Sequence, residues 1–377
     1  MAKTGKSVSM AFNSDLRSES IAAFLGAAGW ADAVRTPLGQ DASTRRYERI
    51  SREDGASAIL MDAPPVEDAP CPPGADEALR RQLGWNAMTR LAASRVDAFV
   101  ALAGELSARG LSTPDIYAHS SNDGLALIED FGHAREFARL IERGRIDEVA
   151  AYATAAEALA HLHRGDRPDM ARGHGETWPM LEFDTLALRT NAELFAEWLP
   201  RFDARARMDD AARARFNRAL GALIEQAMSF PRAFTLRDYH AENLIWLDGR
   251  DGVARVGLLD FQDAVIGWDA WDIAMLVQDA RRPVTRDARE AVLRTYLDGT
   301  GGERDGFEER LAVIGTLNAL RITGLFARLV HRDGKPRYLD FMPRQQAHLA
   351  ANLGHPSLAE MRAIVGETAP FILGAMA

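Results

Sequence analysis

Residues 234–269 constrain this chain more than any other stretch: two short apolar runs, Asn243 to Leu247 and Val256 to Leu259, flank Asp248-Gly249-Arg250-Asp251-Gly252. Asp-Gly pairs suit the backbone of tight hairpin turns, so the two runs are expected to pair as antiparallel strands. Pairing them gathers what lies just outside them. Asn243 opens the first strand with Asp238 just upstream, and Asp260 follows the second. Two carboxylates and an amide oxygen thus meet at one end of a hairpin. Hard oxygen donors of this kind suit Mg2+, which keeps several waters and takes its remaining contacts from a nucleotide's phosphates.

The spacing is more informative than the residue types. Asp238 and Asn243 stand five residues apart, as Asp and Asn do in protein-kinase catalytic loops, and Asp260 follows a strand where those enzymes carry the Asp of Asp-Phe-Gly. Here that Asp is followed by Phe261-Gln262-Asp263. In kinase chemistry the first Asp accepts the proton of the substrate hydroxyl, and the Asn and second Asp hold Mg2+ against the phosphates. Turn formation alone would explain Asp238 and Asn243, and a strand end Asp260. Their coincidence across one expected hairpin favours the chemical reading.

With 377 residues the chain is long enough for two lobes. A net charge of -9 and a single cysteine, Cys71, argue against nucleic acid as partner and against a disulfide framework. No apolar run approaches the roughly 20 residues that span a bilayer, and Met1-Ala2-Lys3-Thr4-Gly5-Lys6-Ser7 lacks a signal peptide's apolar core. A cytoplasmic protein with no membrane partner is expected. Gly5-Lys6-Ser7 imitates the end of a phosphate-binding loop, but no glycine-rich strand-turn precedes it.

Residues 1–18, polar and small, read as a flexible arm, and a capping helix is expected from Ile21 to Trp30. Residues 19–130 are expected to form a first lobe. In it, a polar turn carrying Ser43, Thr44, Arg45 and Arg46 enters an alternating strand, a second strand spans Ala58 to Met61, and the turn could cover phosphates. Asp62 to Asp76 holds five prolines and reads as a loop. Helices are expected over Glu77 to Met88 and Val96 to Arg109, then strands at Ile116 and at Leu125 to Ile128. The corner at Ile128, Glu129 and Asp130 is the expected hinge, where adenine would sit. Residues 131–377 read as a mainly helical second lobe, with helices expected over Val149 to His163, Phe183 to Trp198, Asp209 to Phe230, Ala270 to Asp279, Arg286 to Leu297, Phe307 to Val330, Pro343 to Leu353 and Leu358 to Ile364. Two lobes of this kind predict an α+β, bilobal protein-kinase-like fold, with a small β-rich first lobe and a larger, mainly helical second one.

The chain resembles the aminoglycoside phosphotransferase and choline kinase superfamily, whose catalytic motif is commonly His-Gly-Asp-x-x-x-x-Asn followed by an Ile-Asp-Trp or Leu-Asp-Phe strand. It is more specifically similar to the bacterial anomeric sugar kinases acting on N-acetylmuramate and N-acetylglucosamine. The resembling segments are residues 41–47, 60–65, 236–244, 259–264, 278–282 and 332–338. The resemblance implies ATP and Mg2+ as co-substrate and cofactor, and a small-molecule sugar whose anomeric hydroxyl is phosphorylated in cell-wall recycling. It makes Asp238 the catalytic residue and Asn243 and Asp260 the metal ligands, and points to Asp184, Arg189, Glu193 and Asp263 for the acceptor. Kinases for aminoglycosides or choline remain open, as does a nucleotide-binding regulatory protein without turnover. N-acetylmuramate carries a carboxylate and calls for a local arginine, whereas cationic acceptors call for acids.

One departure is a matter of counting. Kinases place a lysine on their third strand against the phosphates, yet this chain has only Lys3, Lys6 and Lys335. Arg45 or Arg46 is the expected substitute, because guanidinium can grip phosphate with two parallel donors. His161 and His163, two apart on an expected helix, point apart and make no zinc site. His240 reads as structural, and Trp178, Trp198, Trp268 and Trp271 read as core or boundary residues before sugar platforms.

Overall fold

The computed structural model describes residues 4–38, 45–64 and 70–374. The first lobe is a five-stranded antiparallel sheet in the order β1-β2-β3-β5-β4, with β1 Val34–Pro37, β2 Arg46–Ser51, β3 Ser57–Asp62, β4 Ile116–Ser120 and β5 Leu125–Glu129. Alternation divides its faces. Ile50, Ala58, Leu60, Leu125 and Leu127 form a small separate core with Ile21 and Leu25 of helix α1 (Thr4–Ala27) and with Trp30. Met61, Ala126 and Ile128, on the opposite face, join the main core. The helix begins at Thr4 and so takes in most of the residues 1–18 expected as a flexible arm. Arg17 ties α1 to the sheet, its Nη2 lying 2.6 Å from Asp62 Oδ1.

Between β3 and β4 the helix expected over Glu77 to Met88 is two helices, α2 (Glu77–Leu83) and α3 (Trp85–Thr89). Gly84 separates them at φ 97°, a conformation that side-chain-bearing residues avoid. Both come before the expected lobe boundary at residue 130, yet α3 packs on α7 (Thr185–Phe202) of the second lobe. Helix α4 (Val96–Ala108) lies against the ribbon of β6 (Met170–Gly173) and β7 (Glu176–Pro179). Gly104 and Gly173 make that contact possible: a Cβ on Gly104 would sit 2.3 Å from Gly173 Cα.

The second lobe adds α5 (Phe137–Glu142), α6 (Glu148–Arg164), α8 (Asp210–Met228), α9 (Asp269–Val277), α10 (Arg286–Thr300), α11 (Arg304–His331), α12 (Met342–Asn352), α13 (Ala359–Thr368) and α14 (Pro370–Leu373). Two more ribbons pair β8 (Arg232–Thr235) with β11 (Val265–Trp268), and β9 (Leu244–Trp246) with β10 (Val256–Leu258). The longer expected helices recur within a few residues of their expected ends; the β6–β7 and β8–β11 pairings were not foreseen. Helix α11, 28 residues long, is by length and composition long and apolar enough to cross a membrane, although Arg321 interrupts its apolar run. Its most apolar window is 78% buried, as befits a core helix packed along α7.

Candidate active site

The hairpin forms as its turn chemistry requires. Leu244 pairs with Leu258 in an antiparallel register, and Leu259 N–H donates to the Asn243 carbonyl at 3.0 Å. Asn243 and Asp260 therefore sit at one end, while a 3-10 turn over Gly252–Arg255 closes the other. Asn243 Nδ2 donates to the Asp238 carbonyl at 2.9 Å, which brings in the third residue. Asn243 thus stands beside Asp260 across the strand ends and is tied to the backbone of Asp238.

The loop from Leu236 to Asn243 has no ladder of its own and is held from below. The Asp272 carboxylate, fully buried on α9, accepts the N–H of Leu236 at 2.7 Å and of Arg237 at 2.8 Å. Burial pushes this acid up to about 7, against the pull of those two amides. Trp271 Nε1 donates to the Arg237 carbonyl at 3.2 Å, and the Tyr239 hydroxyl donates to the Ala155 carbonyl at 2.9 Å. Arg237 at φ 78°, held by these bonds, and Asp260 at φ 57° beyond the second strand are left-handed without being glycine. Such conformations cost on the order of 1–3 kcal/mol each and cluster where a site must be preformed.

His240 is buried, and burial with repulsion from Arg281 and Arg321 keeps it neutral. Its Nε2 lies 3.2 Å from Asn243 Nδ2. With the Asn243 amide nitrogen held there and at the Asp238 carbonyl, Oδ1 is the atom left for a ligand. Asp260 is similarly half committed. Its Oδ1 accepts from Arg45 Nη2 and from Gln262 Nε2, both at 2.9 Å, and Oδ2 has no protein partner among the described residues. Burial opposes the Arg45 charge, but Tyr47, Asp260 and Asp263 outweigh it and the guanidinium is held above its ordinary range. Asp263 accepts the Ala92 N–H at 2.6 Å; burial pushes its carboxyl up, and Arg237 and Arg45 oppose that.

Asn243 Oδ1 and Asp260 Oδ2 are donors of the kind Mg2+ takes. No group of three or more His, Cys, Asp or Glu among the described residues could hold an ion unaided. A divalent ion here fits as one that arrives with phosphates supplying further oxygens.

The other expected site residues divide. Ser43 and Thr44 lie outside the described residues. Arg46 opens β2 opposite Asp62. Ile128 is buried on the inner face of the sheet. Glu129 bonds Arg250 of the β9–β10 connection at 2.9 Å, and Asp130 bonds Arg49 at 2.6 Å and the Gly132 N–H at 2.9 Å. Those two hinge acids spend their side chains on ties within the fold and leave backbone to offer a base. Asp184 caps α7 through the Ala187 N–H at 3.0 Å and binds Arg80 and Arg90. Arg189 lies 4.0 Å from Glu193 along α7, near Gly221 of α8; no bond links either to Asp238, Asn243 or Asp260. Trp268 and Trp271 are core residues, and His163 bonds the Tyr296 hydroxyl at 2.7 Å.

Sequence reasoning missed Asp272 and Arg321. Each is a charge in a mostly apolar helix, Trp-Asp-Ile-Ala-Met-Leu in one and Ala-Leu-Arg-Ile in the other. A charge where the period demands a core residue is the signal that could have found them.

A strand-rich lobe, a helical lobe and a strained Asp/Asn loop facing a second Asp together define a kinase-like phosphotransferase. Residues 34–312 match the model of the phosphotransferase enzyme family, and the chain belongs to that family. It is 49% identical to the N-acetylmuramate/N-acetylglucosamine kinase of Caulobacter vibrioides, over 91% of this chain and 94% of that one. A Pseudomonas putida protein of the same name is 30% identical over 88% of this chain and 87% of its own. Among solved structures, a choline/ethanolamine kinase family protein from Mesorhizobium loti superposes with a TM-score of 0.56 at 17% identity, covering 93% of this chain and 99% of that one. At that identity the likeness speaks for the fold alone.

Proposed function

We propose that this protein is an ATP-dependent kinase that phosphorylates the anomeric hydroxyl of N-acetylmuramate, N-acetylglucosamine or both, giving the sugar 1-phosphate in cytoplasmic cell-wall recycling. The observation that carries the reading is 49% identity to the Caulobacter enzyme across nearly the whole of both chains. The geometry agrees with it. Asp238, whose backbone is fixed through Asn243 and whose loop is anchored by Asp272, would align the acceptor hydroxyl and take its proton. Asn243 Oδ1 and Asp260 Oδ2 would hold Mg2+, which offsets phosphate charge when bound. Arg45, at 2.9 Å from Asp260, stands where a lysine-poor chain needs a cation for the phosphates. The Ile128 to Asp130 corner would receive adenine through its backbone.

The test is ADP release with ATP and Mg2+ over a panel of N-acetylmuramate, N-acetylglucosamine, glucosamine, choline and an aminoglycoside, with phosphorus NMR of the product. Turnover of an N-acetylated sugar to an anomeric phosphate is the expected result. Turnover confined to choline or the aminoglycoside overturns the acceptor, and a 6-phosphate product overturns the position.

A further inference from the structure

Arg321 is a half-buried arginine whose binding capacity the fold leaves largely unused. It sits mid-way along α11, where Nε donates to Asn318 Oδ1 at 3.0 Å and Nη2 has only the Met275 thioether at 3.8 Å. Nη1 has no protein acceptor, and the guanidinium forms no ion pair, among the described residues. Other arginines nearby are satisfied. Arg310 of the same helix binds Asp269 through Nε and Nη2, Arg281 lies 3.1 Å from Glu242, and Arg237 donates to the Thr89 and Arg90 carbonyls.

The charges around Arg321 do not balance. Burial brings it down to about 10; Asp238 is the acid that supports its charge, and Arg237 and Arg281 oppose it. A partly desolvated guanidinium without a carboxylate carries a cost, and a ligand anion is the group that would relieve it. Its guanidinium carbon lies 5.7 Å from the centre of the Trp271 ring, and Trp271 Nε1 donates to the carbonyl of Arg237, the residue just before Asp238, which is assigned to the acceptor hydroxyl. The unfilled donors therefore belong to the acceptor side of the site.

We propose that Arg321 binds the lactyl carboxylate of N-acetylmuramate and thereby sets the preference between that sugar and N-acetylglucosamine. This rests on the acceptor reading above. The two sugars share the ring and acetamido group and differ in the lactyl ether, whose carboxylate can take two parallel donors from one guanidinium. N-acetylglucosamine offers no such group, so the donors stay with water.

The experiment is steady-state kinetics of wild type, R321M and R321K with both sugars and with the methyl ester of N-acetylmuramate, alongside thermal unfolding. In R321M, the ratio of kcat/KM for N-acetylmuramate to that for N-acetylglucosamine should fall roughly ten- to hundredfold, mainly through KM. Wild type should prefer the acid to its ester and R321M should not. R321K, which keeps the charge in the same envelope, should recover part of the ratio, and it carries the test if R321M does not fold. An unchanged ratio, or equal losses on both sugars, overturns the role of Arg321 while leaving the acceptor reading intact. Wild type that phosphorylates neither sugar overturns that reading itself.

Discussion

Asp184 and Asp260 are both aspartates held by arginines, and their environments are opposite. Asp184 caps α7, takes Arg80 on both oxygens and Arg90 on one, and has little left to offer. Asp260 receives Arg45 and Gln262 on a single oxygen, stands at a strained φ of 57°, and keeps its second oxygen unpartnered among the described residues. A carboxylate whose lone pairs are filled holds the fold together. One that is half filled and held in a costly backbone conformation is poised for a ligand, and the same logic separates Arg310 from Arg321.

The comparison breaks first at Asp260. Asp260→Ala should reduce turnover to background and weaken binding of Mg-ATP far more than binding of metal-free nucleotide, because Oδ2 is assigned to the ion. Calorimetry showing equal losses of the two would make Asp260 a structural acid like Asp184. Next comes Asp238→Asn, which should fold normally, bind nucleotide and lose turnover by about 100-fold or more, the scale of a positioned base. Near-normal turnover would remove the base from Asp238.

The Arg45 contact sharpens the same contrast at smaller scale. Arg45→Ala should raise the KM for ATP or lower turnover at a cost of roughly 1.5–3 kcal/mol, the worth of a charge-assisted hydrogen bond. Arg45→Lys should recover only part, since an ammonium lacks the two-pronged geometry. ATP kinetics unchanged in both would move the phosphate cation elsewhere in the site.

What could be read in advance follows sequence distance. Asp238, Asn243 and Asp260 fall within one hairpin, so turn chemistry and strand period suffice to bring them together. Helix periodicity likewise located α6 to α13. Asp272, 36 residues from Leu236, and Arg45, 215 residues from Asp260, make contacts that no local pattern encodes. The residues proposed for the acceptor show the limit most plainly. Periodicity puts Arg189 and Glu193 on α7 but cannot say that their neighbour is α8, and it hides Arg321, which reads as an interruption of an apolar helix. The β8–β11 pairing escaped for the same reason, its strands being separated by the whole catalytic hairpin.

The smallest effect on chemistry, and the fullest test of the opening contrast, is expected at Asp184. Asp184→Ala leaves Arg80 and Arg90, which are 4% and 10% exposed, without their carboxylate and removes the cap of α7. Losing one partner of a largely buried pair together with a cap costs on the order of 3 kcal/mol, read as a lower unfolding temperature. Turnover measured well below that temperature should stay within about threefold of wild type. The pH dependence carries a sign. Burial raises the Asp184 carboxyl, but Arg80, the Ala187 amide and Arg90 outweigh it, so its folded value lies below the ordinary 3.8. A group depressed in this way stabilises the fold above the unfolded value and loses that stabilisation as the pH falls through the folded one. The gap in unfolding temperature between wild type and Asp184→Ala should therefore be widest near neutrality and narrow below pH 3.8. A tenfold rise in the sugar KM with no change in unfolding temperature would give Asp184 to the acceptor, and a filled carboxylate would no longer distinguish scaffold from site.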